Sequence, residues 1–564
     1  MPTSTLRTPS RRVIAGLIAV SSATSMSCRV VAHDADAPPE RAEKFGSVQF
    51  PTSCKPNADA QFQRAVAMLH SFWYPETVRA FTEVIQSDPE CTIAYWGLAM
   101  SYRPNPLVPP DEKVSAKGLE AVEKGLALGT GTQREKDYVN AAASYYRDYR
   151  TMDYRARAAA QEAAMEQVYR SYPDDPEAAV FYGLALIVTA VASSEVASDA
   201  SLQRQIKAGE ILEKVWAEHP NHPGVVHYII HAYDDPSLAR RALDAANRYA
   251  NIAPSAPHAL HMPSHTYSTL GMWQESIDSN KASWLVSKDY AEHNWPGASD
   301  PVQLHSMDFL VAAYLQTGQD RKAKAIVDER MRITKLAQER LSTQNALNAI
   351  PARYALERAA WSEAADLTPV PPDPSKFPQA EAITWFARCV GAARVGERSK
   401  AREALAKQEQ IRQGLQQGGQ PYWAAQTQLH MDACAAWVAL RERRTDEALQ
   451  LMRGAVDLQD KSGRHPSMEN RLMPMREQLG DMLIVLKRYD EAAAGFERSL
   501  EVDPNRFRGV YGAAKANQLA GNRQKAAMYY SKLLDLTAHA DTLRQEAAEA
   551  KAVLSASNNA VQGR

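Results

Sequence analysis

The chain has 564 residues, 23% of them charged and 45% hydrophobic, and a formal net charge of −1. Such a balance is ordinary for a soluble globular protein and argues against a nucleic-acid binder, which needs a basic stripe to displace counterions. No apolar run approaches the ~20 residues of a membrane-spanning helix.

Residues 1–32 differ from the rest. Arg7, Arg11 and Arg12 precede a short apolar run from Val13 to Val20, and small residues follow. This is the build of a secretory signal peptide. Val30-Val31-Ala32 fits ordinary cleavage, whereas Ser25-Met26-Ser27-Cys28 resembles a lipobox with serine where leucine is usual. Cleavage after Ala32, lipidation at Cys28 and an uncleaved anchor are all open. Ser10-Arg11-Arg12-Val13-Ile14 reads as a plain basic region or as a twin-arginine signal. The expected location is the periplasm, soluble or lipid-anchored to its membrane face, with membrane contact only through a lipid on Cys28. Removing residues 1–32 takes away four arginines and no acid, which leaves a net charge of about −5.

Residues 33–57 read as an extended lead-in. Export changes the meaning of the cysteines that remain, Cys54, Cys91, Cys389 and Cys434. No Cys-x-x-Cys pair supports a zinc knuckle or a thioredoxin motif. Cys54 and Cys91 flank the first repeat, and an oxidising compartment would let them pair. Cys389 and Cys434 fall at inward-facing helical positions and read as buried small hydrophobes.

From residue 58 to 366 a period of 34 residues marks tetratricopeptide (TPR) helix–turn–helix units. Phe81 and Pro89 close the first copy, and Tyr95-Trp96-Gly97-Leu98-Ala99 opens the second. Ala208 and Ala242 are one period apart, as are Pro220 and Pro254. Small residues let helices approach closely, and the prolines end the second helix of each pair. Residues 367–378, with Pro369-Val370-Pro371-Pro372-Asp373-Pro374, read as a stiff linker and a subdomain boundary. A C-terminal solenoid follows over 379–555, where Leu479-Gly480, Ala492, Phe496 and Pro504 show the pattern and Ala526 and Tyr530 repeat it. Residues 556–564 are expected to fray. The fold class is all-α, a TPR-type helical solenoid of roughly ten to twelve helix pairs.

Further segments are more specific than the repeat: Leu69-His70-Ser71-Phe72, Ala94-Tyr95-Trp96-Gly97, His222-Pro223-Gly224 and His261-Met262-Pro263-Ser264-His265. With these the chain resembles a family of exported bacterial TPR proteins that share the Leu-His-Ser-Phe and His-Met-Pro-Ser-His segments, over about Phe50 to Leu534. The resemblance implies fold and export and carries no particular reaction.

The histidines are phased with the repeat. His227 and His231 are the fifth and ninth residues of one unit, and His261 and His265 hold the same places in the next. Residues i and i+4 share a helix face, and neighbouring first helices pack roughly 8–10 Å apart, so four imidazoles should meet on the concave wall. By the same phasing His258, His305 and His430 take second positions, Asp308 a fifth and His70 a thirteenth, all groove-facing. Clustered neutral imidazoles suit a transition metal, zinc or Cu(II), with His70, His258, His305 and Asp308 as possible further ligands. Two other readings stay open: a metal-free groove for an acidic peptide, and histidines that merely cap helices.

Other chemistry is poorly supported. There is no Gly-x-Ser-x-Gly elbow, and Gly129-Thr130-Gly131-Thr132 lacks the lysine of a phosphate loop. Asp174-Asp175 and Asp234-Asp235 precede prolines and read as turn or cap residues. The expected function is a groove that binds a protein, a peptide or a small ligand, with a metal site in its wall. A metal-dependent enzyme and a metal-free scaffold are the alternatives.

Overall fold

A computed structural model describes residues 43–562 except 104, 193–197, 371–375 and 464–469. The expected signal peptide, Cys28 included, lies outside the described residues. Among those residues no named strand occurs, one isolated bridge joins Ser299 to Leu336, and no helix is long and apolar enough to cross a membrane.

Helices follow one another from Pro56–His70 to Gln545–Gln562, each packed on the next. The TPR pattern explains the packing. A Cβ on Gly480 would lie 2.5 Å from the Phe496 ring, and one on Gly512 would lie 2.3 Å from it. Only glycine lets the aromatic of one hairpin wedge between its own partner helix and the next. Gly97 and Phe81 repeat this near the N-terminus, where the gap would be 2.1 Å. Ala492, Phe496, Ala526 and Tyr530 are buried as the period requires.

The lead-in is extended and ends at Lys55, since the first helix begins at Pro56. Its Phe50 is fully buried against Phe62, Trp96 and Tyr138. The backbone nitrogen of Ser47 donates to the Asn221 carbonyl at 3.1 Å. The helices on either side of the expected linker pack together. Helix Leu341–Glu357 packs on Pro378–Val395, one apolar cluster runs from Ala349 through Phe386 to Phe496, and Lys44–Arg564 is one compact unit. At the C-terminus, where fraying from residue 556 was expected, helical backbone continues to Gln562.

Cys54 and Cys91 form a disulfide with Cα atoms 4.8 Å apart. Cys389 and Cys434 are fully buried, and they too are joined to each other, with Cα atoms 5.8 Å apart. Reading them as separate small hydrophobes is corrected by the geometry. They sit on helices Pro378–Val395 and Pro421–Arg441, which pack directly on one another.

The array curls tightly enough for distant repeats to meet. Helix Pro56–His70 packs on Pro223–Ala232, and Trp73 meets Tyr290 at 5.2 Å between ring centroids. The C-terminal repeats return in the same way. Trp273 Nε1 donates to the Asn505 carbonyl at 2.7 Å, and the Phe507 backbone nitrogen donates to Gln316 Oε1 at 2.8 Å. Arg506 is buried between Glu357 and Glu477.

Candidate metal centre

The histidines expected on an open concave wall are interior. His227 and His261 are 0% exposed, His265 2% and His231 5%, while His258 and His305 are partly buried. The tight curl is the reason. It brings the turn after helix Pro56–His70 onto helix Pro223–Ala232. Phe72 there takes a left-handed backbone (φ 52°) and lays its ring over His231 and His258, with centroids at 5.8 and 5.5 Å, and edge-on to His227 at 4.4 Å.

The four central histidines do converge, but they divide into two sets of three. His227 and His231, on helix Pro223–Ala232, are joined by His258 of helix Pro257–His261. His261, at the end of that helix, and His265, of helix Pro263–Thr269, are joined by His305 of helix Pro301–Gln316. Each set is the His-x-x-x-His pair of one repeat plus the second-position histidine of the next. In each set the ligand nitrogens lie within 4.8 Å of one another. Three nitrogens each ~2.0–2.1 Å from one ion stand roughly 3.3–3.6 Å apart, so small ring rotations suffice.

Hydrogen bonds fix the tautomers of His227, His261 and His265. His227 Nδ1 lies 2.6 Å from the His70 carbonyl oxygen, which only accepts, so Nδ1–H donates and Nε2 keeps its lone pair. Among the described residues the Nε2 atoms of His227, His231 and His258 are buried and have no hydrogen-bond partner. In the second set His261 Nδ1 donates to Asn280 Oδ1 at 2.7 Å and His265 Nδ1 donates to Asp234 Oδ2 at 3.1 Å. Their Nε2 atoms face each other at 2.9 Å. Two lone pairs that close repel unless a cation lies between them. Phe309 covers this set, stacked on His265 at 5.3 Å and edge-on to His261 and His305 at 4.9 and 5.1 Å. Burial pushes the rings of His231 and His305 down to about 3 and those of His227, His258 and His261 well below the usual histidine range. These imidazoles are neutral at neutral pH, the state that ligates a metal.

His70 belongs elsewhere. Its Nε2–H donates to Glu177 Oε2 at 2.9 Å and its Nδ1 accepts from the Tyr228 hydroxyl at 3.1 Å. His222 Nε2–H donates to the other Glu177 oxygen at 2.9 Å, and its Nδ1 accepts from the Val225 backbone nitrogen at 3.2 Å. Every ring nitrogen here is used, so this third group is a hydrogen-bonded clasp and holds no open ligand position. Burial alone would raise Glu177, and the bonds from His222 and His70 hold its carboxyl below the usual range. The clasp fixes His70, whose carbonyl orients His227. Gly224 makes room for it, since a Cβ there would lie 2.2 Å from His70 Nδ1.

Asp308 does not join either set; Arg353 Nε and Nη2 each bond one of its oxygens at 3.1 Å. His430 lies apart, stacked on Phe386 at 4.1 Å. Burial lowers its ring to about 4. A histidine depressed from ~6.5 stabilises the fold above that pH, and the benefit is lost as pH falls toward 4. Wild type should therefore lose about 2 kcal/mol more than His430→Gln between pH 7.5 and 4.5. Urea midpoints at the two pH values check this, and parallel losses in both proteins would refute it.

Sequence reasoning missed Glu177, His222, Asn280 and Asp234. Asp234, read as a turn residue, holds His265 instead; nothing in the sequence but its place one turn after His231 hinted at this.

No family model matches the chain, and no curated protein matches it. Among solved structures it is similar to the human IFIT1 dimer with m7Gppp-AAAA, at 11% identity and a TM-score of 0.37, covering 86% of this chain and 91% of that one. It is similar also to the human IFIT1 dimer with PPP-AAAA, at 11% identity and a TM-score of 0.35, covering 84% and 89%. TM-scores this low carry no argument, and the fold rests on the helix packing described above.

Proposed function

We propose that this chain is an exported TPR protein that holds transition-metal ions on two neighbouring three-histidine sites, His227/His231/His258 and His261/His265/His305. The observation that carries the reading is the set of buried, unpartnered Nε2 atoms on His227, His231 and His258, because a buried ring nitrogen without a hydrogen-bond partner is costly unless a ligand meets it. All-imidazole sites suit zinc or copper. Asn280, Asp234 and the His70 carbonyl supply the outer bonds that ligating histidines ordinarily make.

Export is supported by the arginine-rich start followed by a short apolar run and by two disulfides, which persist in oxidising compartments. A small cleft of ≈ 30 Å³ beside His258, bordered by Phe72, Trp73, Asp300 and Arg340, is where a small ligand would approach. A metal-free peptide groove is disfavoured, since a peptide cannot reach imidazoles that are interior.

Untagged protein from the periplasmic fraction, analysed for metals, tests the reading. Zinc or copper bound in stoichiometric amount supports it. Metal-free protein that takes up neither Zn(II) nor copper on titration refutes it. Replacing Asn280 with leucine removes the acceptor that sets the His261 tautomer. It should weaken metal binding at the second site about 10–100-fold and leave the first site unchanged, as read by competition with a chelator. Equal weakening at both sites would show that Asn280 acts through the fold.

A further inference from the structure

Resting on that metal-site reading, we infer that the two histidine sets are halves of one dicopper centre that takes dioxygen between its ions. Rings from different sets come within the range found inside a set, where centroids stand 4.6–6.4 Å apart. His231 and His265 centroids are 6.1 Å apart and His258 and His261 6.0 Å, against 6.4 Å for His231 and His258 of the same set. The sites share a wall. Ions held ~2 Å from nitrogens of these rings would be near neighbours, as in two-metal centres, whose ions stand about 3.5–4 Å apart.

Charge selects the metal. No carboxylate or thiolate is a member of either set, and Asp234 bonds His265 Nδ1 from outside the second. Two divalent ions on six neutral ligands would bury a charge of +4 in a dry site, which is strongly unfavourable. Two Cu(I) ions halve it, and three imidazoles are a sufficient shell for Cu(I). Di-zinc and di-magnesium centres draw on carboxylate ligands to offset their charge, and neither set contains one.

Space selects the ligand. Phe72 covers one set and Phe309 the other, and the cleft that reaches the first set at His258 has ≈ 30 Å³, a way in for one or two water-sized molecules. A diatomic is of the size such a cleft admits. Each Cu(I) gives one electron. The pair thus reduces one dioxygen to the peroxide level and both coppers become Cu(II); the two negative charges of the peroxide hold the net charge at +2 while it lies between the ions, and it leaves with two protons from solvent as hydrogen peroxide when the ions are reduced again. An external two-electron reductant such as ascorbate restores Cu(I), and the test below leaves it out so that a single turnover is read.

The test loads untagged, metal-free protein anaerobically with Cu(I) against a chromophoric Cu(I) chelator, then admits dioxygen. Wild type should bind about two coppers per chain and consume about one dioxygen per copper pair. His258→Ala and His305→Ala, at the least buried ligand of each set, should each bind about one. His258→Gln and His305→Gln replace them if circular dichroism shows the alanine variants unfolded. After oxygen the Cu(II) paramagnetic resonance of wild type should integrate to far less than its copper, because paired ions couple, while each variant should show its full signal. Two coppers with a full wild-type signal would mean independent sites, and one ion shared by all six histidines would mean a single site. Either overturns the pairing and leaves the metal reading standing. Preference for two Zn(II) over Cu(I) overturns the copper assignment alike. Uptake of no metal at all removes both readings.

Discussion

Replacing Arg506 with methionine is expected to cost the protein about 3–5 kcal/mol. Arg506 is 4% exposed, and it pairs with Glu357 and Glu477, which are 2% and 1% exposed. Without the guanidinium two carboxylates remain buried side by side with their main countercharge gone. Burial already pushes Glu477 up, to about 7, even with Arg506 present. A carboxyl whose folded value lies above its unfolded ~4.3 loses stability as pH rises between the two. The deficit of Arg506→Met should therefore be larger at pH 8 than at pH 5, where the pair can take up protons. Denaturant midpoints at both pH values measure it. A loss below about 1 kcal/mol, or one independent of pH, would show that the cluster is not the clamp between the C-terminal repeats and helix Leu341–Glu357.

That clamp marks the limit of what the residues announce. The repeat itself was legible, because small and large residues such as Gly480 and Phe496 must recur at fixed spacing for the hairpins to pack. Curvature was not. It depends on small rotations accumulated over many repeats, and it decides that Asn505 meets Gly271 and that Phe72 meets His258. No local pattern carries contacts across such separations.

The site was half legible for the same reason. The recurrence of His227 and His231 at His261 and His265 put four rings together, and the geometry brings them together. What the period could not give was the division into threes. His258 and His305 occupy second positions and were weighed as optional ligands. Their distance from the preceding pair differs, because the long helix Trp273–Asn294 intervenes before His305. His70 and Asp308 had the same formal claim and are used elsewhere, one by Glu177 and one by Arg353. The Leu-His-Ser-Phe segment acquires a reason only in three dimensions: His70 orients His227 and Phe72 roofs the first set.

Breaking the two disulfides should have unequal consequences for that site. They close chain separations of 37 and 45 residues, and cross-links of this length restrain the unfolded chain by about 4 kcal/mol each. In a repeat array each unit is stabilised mainly by its neighbours, so the loss is felt locally. Cys389–Cys434 ties two interior helices that remain packed on both sides. Cys54–Cys91 holds the start of helix Pro56–His70, an end with neighbours on fewer faces. That helix carries His70 and leads into Phe72, so its fraying uncovers His227, His231 and His258, while the second set keeps Phe309 and Asn280. Substituting both Cys54 and Cys91 with serine should raise amide exchange in helix Pro56–His70 and weaken metal binding at the first set. The second set should hold its metal, and substituting Cys389 and Cys434 should lower the melting midpoint with both sets intact. Protein made in a reducing cytosol should behave as the doubly reduced form and regain the first site on oxidation. Equal metal binding in reduced and oxidised protein would separate the site from the Cys54–Cys91 cross-link and remove the proposed link between export and metal loading.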